Sequence, residues 1–387
     1  MAPKQSVAGP SRTKASATQA PPPPVSVAAF NPSRTLFACA QPVLGSADKL
    51  TVWDVVADRV IAEWEVEGAA KATTVAWSSI ASGAAKKKKR KAGPGSEGED
   101  VVVLTTDKGT LVVFTPRRGE VLRRLNVGRV HATASGDHLV LITAKEILVL
   151  NQDFSAVAHT FDLPSGTPAP SSAALLPSTP EMLHLLIASA SVIALRLNIT
   201  SGKVSNTSAP LPVSTSQVSS IVSLPTTSQG SSFLVACEDD RTISQYTLPQ
   251  ATAPAKLSYR YASPTLSPVH SVSISSDLVS VVHSSGEVSL FPLPKELDFA
   301  RPKSDSKPSM VKLLEGKEDR QVRLVGAAFS SEDDESGTLL CGRMTGGSRV
   351  KWVKATYELP EGGLRDETVV KTDAQDLVGT AATQNVS

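Results

Sequence analysis

The sequence is poor in aromatic residues, in cysteine and in long apolar segments. Of its 387 residues, 4% are aromatic and three are cysteine. Cys39, Cys237 and Cys341 are odd in number and far apart, which excludes a disulfide framework or a zinc site and fits a reducing compartment. No stretch approaches the roughly 18 uninterrupted apolar residues of a membrane span, and the N-terminus lacks a signal-peptide core. We therefore expect no membrane partner.

Catalytic motifs are also missing. The sequence has no G-x-S-x-G element, no P-loop and no dinucleotide fingerprint. The acidic stretch Ser331–Glu335 lacks the oxygen-ligand spacing of a calcium site. No histidine pair has metal-ligand spacing among His131, His138, His159, His184, His270 and His283. We therefore predict a protein that is not an enzyme, with no catalytic residue, metal, cofactor or small-molecule substrate.

Positive charge is concentrated in two short segments. The net charge is +2, of which residues 1–24 contribute +3 and residues 86–91 contribute +6, leaving −7 for the remainder. Residues 1–24 are small, polar and Pro-rich, and they predict a disordered basic tail. A protein that wraps nucleic acid usually carries cations on its folded body. We expect the mildly acidic body and the basic segments to have separate tasks.

From Val25 onward, short β-branched segments alternate with turn residues, as in an all-β fold. The pattern repeats in units of four strands, beginning with VSVAAF, RTLFACAQ, KLTVWDV and RVIAEWEV. Seven such units over roughly 335 residues resemble WD-type propeller blades lengthened by insertions. We predict a single seven-bladed WD-type β-propeller over residues 25–360, followed by a polar tail over 361–387. Six or eight blades, or a pair of β-sandwiches, are the alternative architectures.

Cysteines and aromatic residues support this strand register. Each cysteine falls near the end of a second strand and is followed on the third strand by an aromatic residue. A small thiol beside a large ring suits the alternating interior of a blade, although a reactive thiol is an alternative. The only Trp-Asp pair is Trp53-Asp54, and other units carry substitutes. The predicted propeller-core residues are Trp53, Phe114, Tyr246 and Trp352.

The densest basic segment lies inside the second unit. It consists of Lys86, Lys87, Lys88, Lys89, Arg90 and Lys91. The surrounding residues 82–100 are mainly Gly, Ala, Ser, Lys and acids, and they predict an insertion loop presented to solvent. Such a run is typical of a nuclear-import signal or of an RNA or DNA backbone contact, or it is a solvated loop without a partner. Import is the favoured single role, because no aromatic residues are interleaved for base stacking. A second cationic stretch over residues 295–320 contains interspersed acids and predicts a solvated linker.

A family resemblance follows from these residues. The strings FNPSRTLFACAQ, KLTVWDV and TTVAWSS, the Lys-rich insertion, and VVVLTTDKGTLVVFTPRRGEVLRRL resemble the N-terminal propeller of the WD repeat-containing protein 43 family. The likeness is best over residues 25–128 and collinear to about residue 360. Members of that family are nucleolar subunits of the small-subunit processome. They continue into a helical assembly domain that has no counterpart in residues 361–387.

The resemblance implies a function and a location. It implies a non-catalytic nucleolar scaffold that supports pre-ribosomal RNA transcription and early 18S processing. Its partners would be other processome WD-repeat proteins, with pre-ribosomal or small nucleolar RNA at the basic loop. The alternative function is an adaptor outside ribosome synthesis, such as a chromatin protein or a ubiquitin-ligase substrate receptor. The sequence does not identify the direct partners or the docking face.

Overall fold

The structure is a computed structural model of the chain. It describes residues 27–33, 35–41, 46–57, 59–80, 98–206, 211–212, 218–224, 230–237, 242–248, 255–262, 269–275, 278–283, 287–292, 309–312, 323–330, 336–344, 350–358 and 372–377. Beyond residue 289 it describes the backbone alone. Over these residues the only helical element is a 3-10 turn at Glu67–Ala69, and the strands form seven antiparallel sheets.

The first three sheets follow one another along the chain. Sheet 1 contains β1 (Val27–Phe30), β2 (Leu36–Gln41), β3 (Lys49–Asp54) and β4 (Arg59–Glu65). Sheet 2 contains β5 (Ala72–Ile80), β6 (Glu99–Thr106), β7 (Thr110–Thr115) and β8 (Glu120–Asn126). Sheet 3 contains β9 (Val130–Ser135), β10 (Leu139–Thr143), β11 (Glu146–Leu150) and β12 (Val157–Asp162).

The next two sheets repeat this order. Sheet 4 contains β13 (Ser172–Thr179), β14 (Met182–Ala188), β15 (Ser191–Asn198) and β16 (Lys203–Asn206), with the short β17 (Leu211–Pro212) also paired to β15. Sheet 5 contains β18 (Val218–Ser223), β19 (Ser231–Cys237), β20 (Thr242–Leu248) and β21 (Lys256–Ala262). The outer position of sheet 4 is therefore shared by two short strands.

The last two sheets complete the fold. Sheet 6 contains β22 (Val269–Ser275), β23 (Leu278–His283), β24 (Glu287–Pro292) and β25 (Ser309–Lys312). Sheet 7 contains β26 (Arg323–Ser330), β27 (Ser336–Met344), β28 (Val350–Glu358) and β29 (Thr372–Leu377). The first strand of each sheet contacts the first strand of the next, and β26 contacts β1. These contacts close the seven sheets into a ring, which is the arrangement of propeller blades.

Burial explains why the middle strands are so apolar. In sheet 2, six consecutive residues of β6 are buried, whereas the outer strand β8 is half-buried or exposed along its length. A middle strand has a neighbouring sheet against each face, so both sets of alternating side chains need to be apolar. An outer strand lies at the rim, where polar side chains are solvated. This difference in burial between middle and outer strands explains why apolar and more polar strand segments alternate in the sequence.

The hairpin turn between β6 and β7 requires a glycine. Gly109 has φ +81°, and a Cβ at this position would lie 2.9 Å from the backbone of Gly128. The Val127 amide donates to the Gly109 carbonyl at 2.9 Å. Close approach of two backbones therefore joins this turn to the connection between sheets 2 and 3.

The prediction of an all-β propeller is confirmed, but some of its boundaries differ from the structure. The propeller does not end at residue 360, because β29 lies within the predicted polar tail and pairs with β28. The stretch predicted as a linker over 295–320 contributes β25 to sheet 6. Both are outermost strands, which join a sheet by backbone hydrogen bonds and need few apolar side chains. The insertion ends before residue 100, because β6 begins at Glu99. The predicted disordered tail over 1–24 lies outside the described residues.

Candidate functional site

The basic run joins the innermost strand of sheet 2 to its neighbour. Residues 86–91 lie within 81–97, outside the described part of the chain, but both ends of the segment are described. Ile80 at the end of β5 pairs directly with Glu99 at the start of β6. The insertion therefore leaves and re-enters the sheet at two adjacent points.

Polar contacts fix the base of the insertion. Asn31, only 1% exposed, lies in the turn between β1 and β2, and its side-chain Nδ2 donates to Asp100 Oδ2 at 2.8 Å. The Asn31 Oδ1 accepts the Leu36 amide at 2.8 Å. Arg118, in the turn between β7 and β8, pairs with Glu99 at 2.7 Å. Turns from sheets 1 and 2 therefore hold the first residues of β6.

These contacts define one face of the propeller. In an antiparallel sheet of consecutive strands, the β1–β2 and β3–β4 turns lie at one end and the β2–β3 connection lies at the other. The insertion follows the first strand of sheet 2, so it emerges on the face that carries the β1–β2, β3–β4 and β7–β8 turns. We call this the insertion face.

The predicted core aromatic residues lie on third strands. Trp53 is on β3, Phe114 on β7, Tyr246 on β20 and Trp352 on β28. The first three are buried, and the Trp352 side chain lies outside the described part of the chain. The Phe114 ring stacks on Trp64 at 6.1 Å, and the Tyr246 ring stacks on Phe233 at 5.7 Å.

The cysteines lie on the predicted second strands. Cys39 is on β2, Cys237 is the last residue of β19, and Cys341 is on β27. Cys39 packs with Phe37 and Trp53, and Cys237 packs with Phe233 and Tyr246. Burial raises the pKa of the Cys39 thiol far above its usual range. A neutral, enclosed thiol is a packing group, because the thiolate is the nucleophile.

The histidine side chains that the structure describes form no common site. No group of three or more His, Cys, Asp or Glu side chains suited to a metal lies within the described residues. Burial, and then the charge of Arg196, lowers the pKa of His184, while burial and Arg129 lower the pKa of His131. His283 is buried and lies 3.1 Å from the Ser289 hydroxyl. The acidic stretch 331–335 lies outside the described part of the chain.

Polar residues that the sequence pattern did not indicate join sheets 1 and 2. Asp48 is 5% exposed; its Oδ1 lies 2.9 Å from Lys71 Nζ and its Oδ2 accepts the Ala72 amide at 2.8 Å. Asp107 accepts the Lys71 amide at 2.8 Å. Both aspartates lie just outside strands, between the second and third strands of their sheets. In both sheets an Asp lies in the connection between the second and third strands. This shared position could have indicated the contact from the sequence.

Over the described residues, a ring of seven antiparallel sheets, six with four strands and one with five, defines the protein as a β-propeller. Many solved structures are similar to this chain, including KlAtg21 and Raptor. KlAtg21, in its complex with the coiled coil of AgAtg16, superposes with a TM-score of 0.57 and 13% identity, covering 91% of this chain and 99% of its own. Raptor of Chaetomium thermophilum superposes with a TM-score of 0.56 and 12% identity over 88% of this chain. This chain spans only 28% of the Raptor chain.

The sequence matches no protein-family model and no curated protein. Within the described residues, no helix has the length and apolar character to cross a membrane. The similarity to solved structures therefore establishes the fold alone.

Proposed function

We propose that this protein is a non-catalytic nucleolar scaffold of the small-subunit processome. In this role the propeller docks protein partners, and the basic insertion contacts pre-ribosomal or small nucleolar RNA. The observation that carries the proposal is the six-cation segment 86–91, inserted just before residues Glu99 and Asp100, which turns of sheets 1 and 2 hold in place. A cationic segment inserted between two paired strands can contact a phosphate backbone while the sheets remain unchanged.

Two further observations support the proposal. The resemblance to the WD repeat-containing protein 43 family is best over residues 25–128, which include sheets 1 and 2 and the insertion between β5 and β6. KlAtg21, which has the same fold, was solved in complex with a coiled-coil protein, in keeping with a propeller that docks protein partners. Outside the two basic segments, the chain has a net charge of −7. The cations of residues 86–91 therefore do not belong to a larger basic surface.

Affinity purification with mass spectrometry tests the proposal. We expect the tagged chain to recover protein components of the U3 ribonucleoprotein and other processome WD-repeat proteins. Recovery of a cullin adaptor or histones in their place would overturn it in favour of an adaptor outside ribosome synthesis. The purification is made with and without ribonuclease, which separates protein docking from RNA bridging.

A six-residue substitution tests the basic run. Replacing residues 86–91 by Gly and Ser is expected to move the tagged protein from the nucleolus to the cytoplasm, because this is the densest basic segment of the chain. It is also expected to flatten the salt dependence of RNA affinity, because each lost phosphate contact removes most of one unit from the log–log slope. Unchanged location and unchanged affinity together would remove the run from the function.

A further inference from the structure

The two sides of sheet 4 pack against different neighbours. Side chains of a strand point alternately to opposite sides of its sheet. Leu186 and Ala194 belong to the apolar cluster that contains Phe233 of sheet 5. Leu185 and Leu195 belong to the cluster that includes residues of sheet 3. Even-numbered residues of β14 and β15 therefore point to the side of sheet 5, and odd-numbered residues point to the side of sheet 3.

On the side of sheet 5, apolar packing gives way to polar side chains near the β13–β14 turn. His184 on β14 pairs directly with Arg196 on β15. Met182 and Asn198 form the next pair towards the turn, and Lys203 on β16 pairs with Asn198. The first four residues are half-buried, and Lys203 is exposed. We call these five residues the cationic end of sheet 4.

The cations of this end have no anionic partner among the described residues. Neither Arg196 nor Lys203 forms an ion pair there, and the buried Nε of Arg196 makes no hydrogen bond. A buried donor without an acceptor costs free energy, which an acceptor that enters the site would recover. The charge of Arg196 adds to burial in lowering the pKa of His184, so the two side chains lie close together.

The surrounding strands supply no carboxylate to this site. The strands of sheets 4 and 5 contain no Asp or Glu, whereas the strands of each of the other five sheets contain at least one. Glu181, in the β13–β14 turn, is exposed and forms no ion pair with another described residue. The chain outside the two basic segments carries −7. An anionic group is therefore attracted to sheets 4 and 5 and repelled by much of the remaining body.

The small size of the cationic end fits one acidic side chain of a protein. One half-buried guanidinium and one exposed ammonium group do not follow a nucleic-acid backbone, which is bound by several cations in a row. A membrane surface needs exposed apolar side chains, and over the described residues only Val56, in the β3–β4 turn, is large, apolar and exposed. A carboxylate, in contrast, accepts two parallel hydrogen bonds from one guanidinium group. Met182 adds an apolar contact, and both Arg and Met are enriched in protein interfaces.

We propose that the cationic end of sheet 4 is a docking site for an acidic side chain of a partner protein, whose carboxylate binds Arg196 with Lys203 beside it. This inference rests on the docking of protein partners in the proposed function, and it names the chemistry of one such contact. The site lies on sheet 4, where the charge of the folded body differs most from its average.

The test uses an octapeptide of alternating Glu and Ser and a matched octapeptide of Gln and Ser. Binding to the full chain is followed at constant ionic strength by nuclear magnetic resonance of carbon-13-labelled histidine rings, where His184 reports on the site. The site variants are Arg196→Gln and Lys203→Gln. The control is Lys145→Gln, an exposed cation in the β10–β11 turn of sheet 3. Each variant loses one charge, and urea unfolding shows whether it is folded.

We expect the Glu peptide to shift the His184 signal in the parent and in the control, and the Gln peptide to leave it in place. Arg196→Gln should weaken Glu-peptide binding by about tenfold or more, because it removes the charged donor of the pair. Lys203→Gln should weaken binding less, and because this side chain is exposed it keeps the test valid if Arg196→Gln does not fold. An unmoved His184 signal, or equal affinities in the site and control variants, would overturn the inference.

Two further probes separate the alternative ligands. Inorganic phosphate and a uridine oligonucleotide are titrated in the same way. Tighter binding of either probe than of the Glu peptide would overturn the inference in favour of a phosphate ligand. The proposed function is judged separately, by recovery of U3 ribonucleoprotein components. A chain that recovers them without binding the Glu peptide loses this docking site alone, and a chain that binds the peptide without recovering them loses the proposed function alone.

Discussion

The boundary between sheets 1 and 2 and the boundary between sheets 7 and 1 are held together differently. The first is crossed by the chain itself, at residues 66–71, and by side-chain hydrogen bonds between the two sheets. At the second, the strands of sheet 7 all lie within 323–377 and those of sheet 1 within 27–65. Among the described strands, none from the start of the chain joins sheet 7 and none from its end joins sheet 1. Non-covalent contacts between the two sheets therefore close the ring.

The side chains of sheet 1 divide between these two boundaries. Leu36, Ala38 and Ala40 pack with Trp77 and other residues of sheet 2. The alternating partners Phe37 and Cys39 point to the opposite side of the sheet and pack with Trp53. That side faces sheet 7, because β1 and β2 both contact β26. The described side chains of sheet 1 on the side of sheet 7 form an apolar cluster, whereas the chain-linked boundary includes polar contacts from the buried Asn31 and Asp48.

The largest expected effect is at the closing boundary. Trp53→Ala should lower the free energy of unfolding by about 3–5 kcal/mol, because it removes a buried ring that the surrounding sheet cannot replace. Urea unfolding measures the loss. Trp64→Ala is the matched control, because Trp64 is only half-buried and lies on the other side of the sheet, and its loss should be smaller. A Trp53→Ala loss under about 1 kcal/mol would contradict the role of this ring in closure.

The sequence predicted the class of fold because the physical cause is local. Middle strands such as β6 are buried on both faces and read as apolar runs, so the four-strand pattern was visible without tertiary information. The outer strands of the sixth and seventh sheets escaped prediction for the same reason. The segment TDAQDL of β29 has no apolar pattern, since its place in the sheet depends on backbone pairing with β28.

The candidate site was only partly predictable. The six adjacent cations at residues 86–91 are evident from the sequence alone, but the contacts that hold Glu99 and Asp100 after the insertion are not. Asn31 and Asp100 are 69 positions apart, and only the ring of sheets brings them to 2.8 Å. Residues 117–129 hold five arginines, yet the exposure of their side chains depends on β8 being a rim strand.

A smaller effect should follow from removing a polar contact at the chain-linked boundary. Asp48→Ala should cost about 1–3 kcal/mol, because it leaves the partly buried Ala72 amide without its acceptor. Asp48→Asn is the control, since one side-chain oxygen is kept and only the half-exposed Lys71 pair is lost. Urea titrations of both variants measure the difference. Equal losses would mean that charge, and not the hydrogen bond to Ala72, holds this connection.

A single hydrogen bond between the inner strands provides a finer test. Trp77 is buried, and its Nε1 donates to the Ala29 carbonyl across the boundary at 2.7 Å. Trp77→Phe keeps a ring but removes the donor, so the expected loss is about 1 kcal/mol from the hydrogen bond, with a further contribution from lost volume. Hydrogen exchange of the β1 amides should report looser pairing in this variant. Unchanged exchange in β1 would show that packing alone sets the boundary.

The smallest expected effect concerns the insertion. Ile80 and Glu99 are paired directly, so a short loop can join β5 to β6 without strain. Replacing residues 81–97 by an eight-residue Gly-Ser segment halves the loop, which should raise the free energy of unfolding by roughly 0.6 kcal/mol through reduced loop-closure entropy. The matched control keeps the length at 17 residues with Gly and Ser only, and it should unfold like the parent. A loss above about 1 kcal/mol in both variants would show that the basic segment packs against the sheets. The chain-linked boundary would then owe part of its stability to the insertion, and not only to Asn31, Asp48 and Trp77.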